Sequence, residues 1–148
     1  MLDRITLITG NAGKAADAYA QLGEPVLVDD TGLTIHEWNG LPGALVAWFI
    51  DTVGPQGILD MAAGLTDRRA TVTTALGYAD ATGVQVFQGT VHGTLATELL
   101  GSSGFGYDPI FIPDSDHRTY AQMTSEEKNK ISHRRRAVEA MRAGLGLD

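Results

Sequence analysis

Residues 69–97 read RATVTTALGYADATGVQVFQGTVHGTLAT. Arg69–Tyr78 and Val84–Thr97 are rich in threonine and valine, residues suited to a pleated, half-buried surface, and Ala81-Thr82-Gly83 between them is a tight-turn sequence. The stretch predicts an antiparallel hairpin in the middle of the chain. On either side, strand-like and helix-like runs interleave. Arg4–Thr9 (RITLIT) is a β-branched run ending at Gly10, and Lys14–Leu22 (KAADAYAQL) is an alanine-rich helix, so the chain opens as strand, turn, helix. Val26–Val28 is a second apolar run, closed by a turn at Asp29-Asp30-Thr31-Gly32, and a further strand follows in which Leu33 and Ile35 alternate with Thr34 and His36. Ala44–Ile50 and Gln56–Ala63 are helical and separated by Gly54-Pro55. After the hairpin, a glycine loop at Gly101–Gly106 leads into a short strand over Pro109–Pro113. Thr124-Ser125-Glu126-Glu127 fits a capping box, opening a helix on which Val138, Met141 and Leu145 share a face. The interleaving points to an α/β fold, and the hairpin excludes an all-parallel sheet: a mixed central β-sheet flanked by helices.

The 148 residues hold no cysteine, 18 acidic and 11 basic side chains. A chain of this length supports one core, so residues 1–148 are expected to form a single domain. With no thiol there is no disulfide framework and no cysteine-ligated metal, which fits the cytoplasm. No run approaches a spanning helix or a leader, so membrane insertion and secretion are not expected. The charge is uneven: residues 1–117 carry a balance of −10 and residues 118–148 one of +3. An acidic body argues against binding a nucleic acid polymer, whereas a small polyphosphate needs few cations.

Four stretches carry chemistry. Thr9-Gly10-Asn11-Ala12-Gly13-Lys14, between strand and helix, can offer backbone N–H groups, a helix N-terminus and an ammonium to a phosphate, or be an ordinary turn with a solvated lysine. It is not the P-loop, since two residues separate the glycines and Ala15 stands where that motif needs Ser or Thr. Asp29 and Asp30 at a strand end can hold a hydrated Mg2+ and activate water, or close a turn; successive strand side chains diverge, so one of the two would face a site. Ser103-Gly104-Phe105-Gly106-Tyr107-Asp108 places an aromatic ring between glycines, available to stack on a base or to pack. Glu126–Arg134 holds Lys128, His133 and Arg134, donors suited to phosphate or a base carbonyl if they are more than a solvated helix face.

In this order the motifs resemble the inosine/xanthosine triphosphate pyrophosphatase family. TGNAGK at 9–14, VDDTGL at 28–33 with GLPG at 40–43, SGFGYDPIF at 103–111 and SEEKNKISHR at 125–134 carry the likeness. It implies helices around a nucleotide-binding cleft, a small-molecule nucleoside triphosphate as substrate, Mg2+ as cofactor and a homodimer. Thr9, Gly10, Asn11, Ala12, Gly13 and Lys14 would take the triphosphate, with Lys14 also catalytic. Asp30 would be the catalytic base and a metal ligand, with Asp29 supporting the metal. Thr31, Phe105, Gly106, Tyr107, Asp108 and Lys128 would contact substrate, and His133 with Arg134 the purine carbonyl edge. The reaction implied is attack of water on the α-phosphorus of ITP, dITP or XTP, releasing pyrophosphate.

Three places depart from the family. Gly23-Glu24-Pro25 replaces a strand and helix bearing an E-T-G-x-T-F-x-E-N-A-like stretch whose glutamate ligates metal. Glu24 lies about 16 Å from Asp29 along an extended chain, at roughly 3.3 Å per residue, too far to substitute. Trp48 stands where the family has arginine, and Glu98-Leu99-Leu100-Gly101 where proline, arginine and glycine are common. Hydrolysis with a reduced metal shell, binding without hydrolysis, and a changed nucleotide preference all follow as alternatives.

Overall fold

The expected hairpin is the spine of the fold. A computed structural model describes residues 2–147, with side chains from Ala12 onward. Its elements are α1 (Leu2–Leu22), β1 (Val26–Ile35), β2 (Pro42–Gly43), α2 (Val46–Met61), β3 (Arg69–Asp80), β4 (Gly83–Leu95), β5 (Phe111–Pro113), α3 (Ser125–Ile131) and α4 (His133–Leu145). β3 and β4 pair from Asp80 opposite Gly83 to Arg69 opposite Thr94, and the five strands lie in the order β2-β1-β3-β4-β5. Gly83, directly after the Ala81-Thr82 turn, opens β4 at φ +132°, a conformation that glycine adopts without the strain a Cβ would bring.

Leu33 and Ile35 of β1, Ala70 and Val72 of β3, and Val91 of β4 point to one face by strand alternation. There they bury against Ile58 and Leu59 of α2 and against Ile110, Phe111 and Tyr120. α4 lies on the same face, over Gly89 of β4, where a Cβ would run into the His133 carbonyl and the Ala137 amide. α1 packs against β1 and β3. It covers the other face, which presents Asp30 and Ala75.

The α/β expectation holds, with differences in detail. The turn expected at Asp29–Gly32 is absent: β1 is continuous, paired with β3 from Val26 opposite Ala79 to Ile35 opposite Ala70. A full ladder outweighs the local turn preference of Asp and Gly. Gly32 serves close approach instead, since a Cβ there would lie 3.1 Å from the Gly43 carbonyl of β2. The opening strand at Arg4–Thr9 is replaced by helix, because α1 begins at Leu2. The alanine-rich stretch after it favours helix, and no proline interrupts before Pro25. All described ladders are therefore antiparallel rather than mixed, since parallel pairing requires a crossover unit of the kind expected at Arg4–Leu22. α2 is two helical segments meeting at Gly54 (φ 70°, ψ 174°) and Pro55, as the sequence predicts. The helix expected after Thr124 is broken at Ser132 (φ −77°, ψ 152°) into α3 and α4.

Candidate active site

The Ser132 break decides where the donors of the last helix go. The Thr124 hydroxyl accepts from the Glu127 amide at 3.1 Å, and the Glu127 carboxylate accepts from the Thr124 amide at 2.9 Å, which starts α3. Ser132 then caps α4 by accepting from the Arg135 amide at 3.1 Å. His133 and Arg134 thus stand in the first turn of α4, beside Lys128 and Asn129 of α3, the turn at Phe105–Asp108 and Thr31 of β1. These residues line a pocket of about 180 Å3. The expected substrate contacts Thr31, Phe105, Gly106, Tyr107, Asp108, Lys128, His133 and Arg134 meet there.

Glycines shape the aromatic wall. Gly104 (φ +75°) and Gly106 (φ +61°) adopt left-handed conformations, and a Cβ on Gly104 would run into the Asp108 carboxylate. That carboxylate, 3% exposed, accepts from the Phe105 amide at 3.0 Å and from Lys128 Nζ at 2.6 Å. The Lys128 ammonium also stands 5.1 Å from the Phe105 ring centroid and 5.4 Å from that of Tyr120. Phe105 remains 75% exposed, leaving ring area for a ligand.

The His133 ring stacks on Tyr120 at 6.0 Å and 21°, and its Nε2 is 3.0 Å from the Tyr107 hydroxyl. Burial first, then the neighbouring Lys128 and Arg134 charges, lower its pKa to about 3, so the imidazole is neutral. Its Nδ1 is buried and has no hydrogen-bond partner among the described residues. Burial raises the Tyr107 phenol pKa, and the nearby Thr31 side chain acts against that rise. The pocket thus combines an open π-face with a cation, a guanidinium and a neutral imidazole.

Asp29 and Asp30 do not converge. Asp29 accepts from Arg134 Nη1 at 2.5 Å, on the α4 side, whereas Asp30 lies 3.7 Å from Lys14 Nζ, on the α1 side. Thr9, Gly10 and Asn11 lie outside the residues whose side chains are described. Ala12, Gly13 and Lys14 fall within α1, so the expected turn before the helix is not formed there. Glu24 is exposed and precedes β1, at the far end of the strand from Thr31. Among the described residues no group of three or more His, Cys, Asp or Glu could hold a metal. Mg2+ commonly uses one or two protein carboxylates and leaves its other positions to water and substrate phosphates. Asp30 fits that limited role: its side chain is 24% exposed, and 3.7 Å to Lys14 exceeds hydrogen-bond length. Asp29 is committed to Arg134.

The site also uses residues not singled out from sequence. Tyr120 supplies the stacking floor under His133, Asn129 and Ser132 line the pocket, and Gly89 lets α4 sit close to the sheet. A serine followed directly by helix-forming residues is a cap signal, but Tyr120 and Gly89 carry no local mark of their role.

The Ham1 family model matches residues 5–144. The dITP/XTP pyrophosphatase of Hyperthermus butylicus is 41% identical over 127 residues, which cover 86% of this chain and 67% of that protein. The inosine triphosphate pyrophosphatase of Scheffersomyces stipitis is 44% identical over 131 residues, covering 87% and 67%. The structure of a HAM1 protein from Coxiella burnetii superposes with a TM-score of 0.87 at 33% identity, covering 95% of this chain and 76% of that one. The chain spans about two thirds of the length of the curated relatives it matches.

Proposed function

The chain belongs to the Ham1 family, and on that premise we propose that it hydrolyses non-standard purine nucleoside triphosphates (ITP, dITP, XTP) to the monophosphate and pyrophosphate. The observation that carries this reading is the convergence of Phe105, Lys128, His133 and Arg134 on one pocket. Phe105 offers a stacking face for a base. Arg134 can only donate hydrogen bonds, which suits a 6-keto oxygen and disfavours the 6-amino group of adenine.

For the phosphate chemistry, the pair formed by Lys14 and Asp30 is the reactive element. Lys14 binds and neutralises phosphate oxygens. Asp30 accepts a proton from water as the water oxygen bonds to the α-phosphorus, and the bond from that phosphorus to the bridging oxygen breaks, pyrophosphate leaving with the electron pair. When bound, Mg2+ would be held by Asp30 and the substrate phosphates, and would supply charge neutralisation and a more acidic water. The proposal extends to the cytoplasm and to a homodimer, which sedimentation velocity checks; no helix among the described residues is long and apolar enough to cross a membrane.

The test is pyrophosphate release from a panel of ITP, dITP, XTP, ATP, GTP and CTP with Mg2+. Faster turnover of ITP, dITP and XTP than of ATP supports the reading; preference for ATP or a pyrimidine overturns it. A second reading, nucleotide binding with weak or lost hydrolysis, is favoured by the placement of Asp30 on the sheet face opposite the pocket. It predicts calorimetric binding of ITP with no pyrophosphate released at any Mg2+ or Mn2+ concentration.

A further inference from the structure

Away from the pocket, two histidine rings meet at one hydroxyl. His36 opens the turn that follows β1, and His92 lies in β4, directly opposite Thr71 of β3. His36 Nε2 is 3.0 Å from Thr71 Oγ1, and His92 Nδ1 is 3.1 Å from the same atom. Two nitrogens each about 3 Å from one oxygen are at most about 6 Å apart. A hydroxyl has one hydrogen, so it donates to one ring and accepts from the other. Thr71 is 6% exposed, whereas both histidines are exposed. They lie 35 residues before Thr71 and 21 after it, so it is the pairing of β3 with its two neighbours that brings them together. The carboxylates beside His36 are committed elsewhere. Glu37 accepts from the Thr66 hydroxyl at 3.2 Å and from the Asp67 amide at 3.1 Å, and Asp67 accepts from the Arg69 guanidinium at 3.0 and 2.8 Å.

We propose that His36 and His92 form a binding site for a divalent d-block cation of the Zn2+ class, separate from the Mg2+ role assigned to Asp30. Imidazole nitrogen suits Zn2+, Ni2+ and Cu2+, whereas Mg2+ prefers oxygen ligands and dehydrates reluctantly. Either ring nitrogen can ligate, so Nε2 of one ring and Nδ1 of the other both serve. Nitrogens bound to one tetrahedral ion at about 2.0–2.1 Å stand about 3.3 Å apart. Rotation of two exposed rings about their side-chain bonds closes the remaining gap, and Thr71 already draws both nitrogens to one point. The cation takes a bare nitrogen from each ring, so the ring that donates to Thr71 moves its hydrogen to its other nitrogen. Water fills the remaining positions, because no group of three or more His, Cys, Asp or Glu gathers there among the described residues. Asp30 pairs opposite Ala75, four residues along β3 from Thr71, or about 13 Å at roughly 3.3 Å per residue, too far for one ion to serve both. A cation at the two histidines ties the end of β1 to β4 across β3, and its binding adds to the stability of the fold. The site is independent of what the pocket hydrolyses.

Calorimetric titration of the full chain with Zn2+, without nucleotide and at about pH 7.5, above the ordinary titration of imidazole, tests the site. The expected result is a Zn2+ dissociation constant between about 1 μM and 1 mM, weaker than a site with four protein ligands, that excess Mg2+ leaves unchanged. His36→Gln and His92→Gln should each weaken it by about tenfold or more, as expected when one of two ligands is lost. His117→Gln, at an exposed ring beside Asp116, should leave it unchanged. Zn2+ should raise the melting temperature of the parent and raise that of the His36 and His92 variants less. NMR of the parent serves if a variant does not fold: the ring signals of both His36 and His92 should move as Zn2+ is added. Zn2+ binding no tighter than about 1 mM overturns the proposal. So does undiminished binding in either His36→Gln or His92→Gln, or a titration that leaves either ring's signals in place.

Discussion

Asp29 and Asp30 are neighbours in β1 that serve opposite faces of one sheet: Asp29 accepts from Arg134 at 2.5 Å, while Asp30 faces Lys14 at 3.7 Å. Strand alternation separates them, so two adjacent carboxylates do not make a shared cation site. Their chemistry should separate in the same way.

Asp30→Asn should lower Mg2+-dependent pyrophosphate release from ITP by about 100-fold or more, the usual contribution of a positioned general base. Asp29→Asn breaks a half-exposed ion pair, a contact of about 0–1 kcal/mol, and should cost less than about fivefold. Steady-state rates at saturating ITP decide it; equal losses in the two variants would remove the distinction.

Lys128 and Asp108 form the most enclosed ion pair described, with side chains 18% and 3% exposed. Removing one partner of a buried pair leaves a charge without compensation, at a cost of about 3–5 kcal/mol. Lys128→Met should therefore lower the melting temperature by roughly 6–20 °C, at about 2–4 °C per kcal/mol in a chain of this size. Adding Asp108→Asn should restore part of the loss, since it removes the stranded charge. Calorimetry on both single variants and the double variant reads this coupling, and simple additivity would contradict it.

What could be read from the sequence was local. The hairpin with its Gly83 turn, the Gly54-Pro55 interruption of α2 and the Thr124–Glu127 box each depend on residues a few positions apart. The glycines around Phe105 and the cluster of Lys128, His133 and Arg134 marked the pocket for the same reason. What escaped depends on distant pairing. Asp29 and Arg134 are 105 residues apart, and Tyr107 and His133 are 26 apart. Asp29–Gly32 has turn composition, but ten consecutive pairings with β3 hold it extended. The ion pair between Asp30 and Lys14 needed the packing of α1 on β1, which no local pattern encodes.

Gly89 places α4, and with it His133 and Arg134. Gly89→Ala would force the helix away from β4, since the new methyl collides with backbone atoms of His133 and Ala137 that cannot rotate aside. Overpacking of this kind costs about 1–3 kcal/mol. The ITP affinity should fall with stability, whereas Gly64→Ala, where nothing lies within 4 Å, should leave both nearly unchanged. Thermal denaturation and calorimetric titration with ITP check the pair; full ITP affinity in Gly89→Ala would refute the placement role.

The last expectation concerns pH. Burial lowers the His133 pKa from 6.5 to about 3, so between these values the unfolded chain binds a proton at this position that the folded chain does not. Stability therefore rises with pH across this window, with a slope from His133 that approaches about 1.4 kcal/mol per pH unit well below 6.5. Asp67, lowered to about 2 by Arg69, contributes in the same direction, but only as pH falls through its unfolded value of 3.8. Measurements between pH 4.8 and 6.5, above that carboxylate's range, weight the slope toward histidine. His133→Gln keeps a polar side chain and cannot titrate. Urea unfolding of the two proteins at several pH values in this window should give a shallower dependence for the variant, and parallel curves would mean that His133 is protonated in the folded protein.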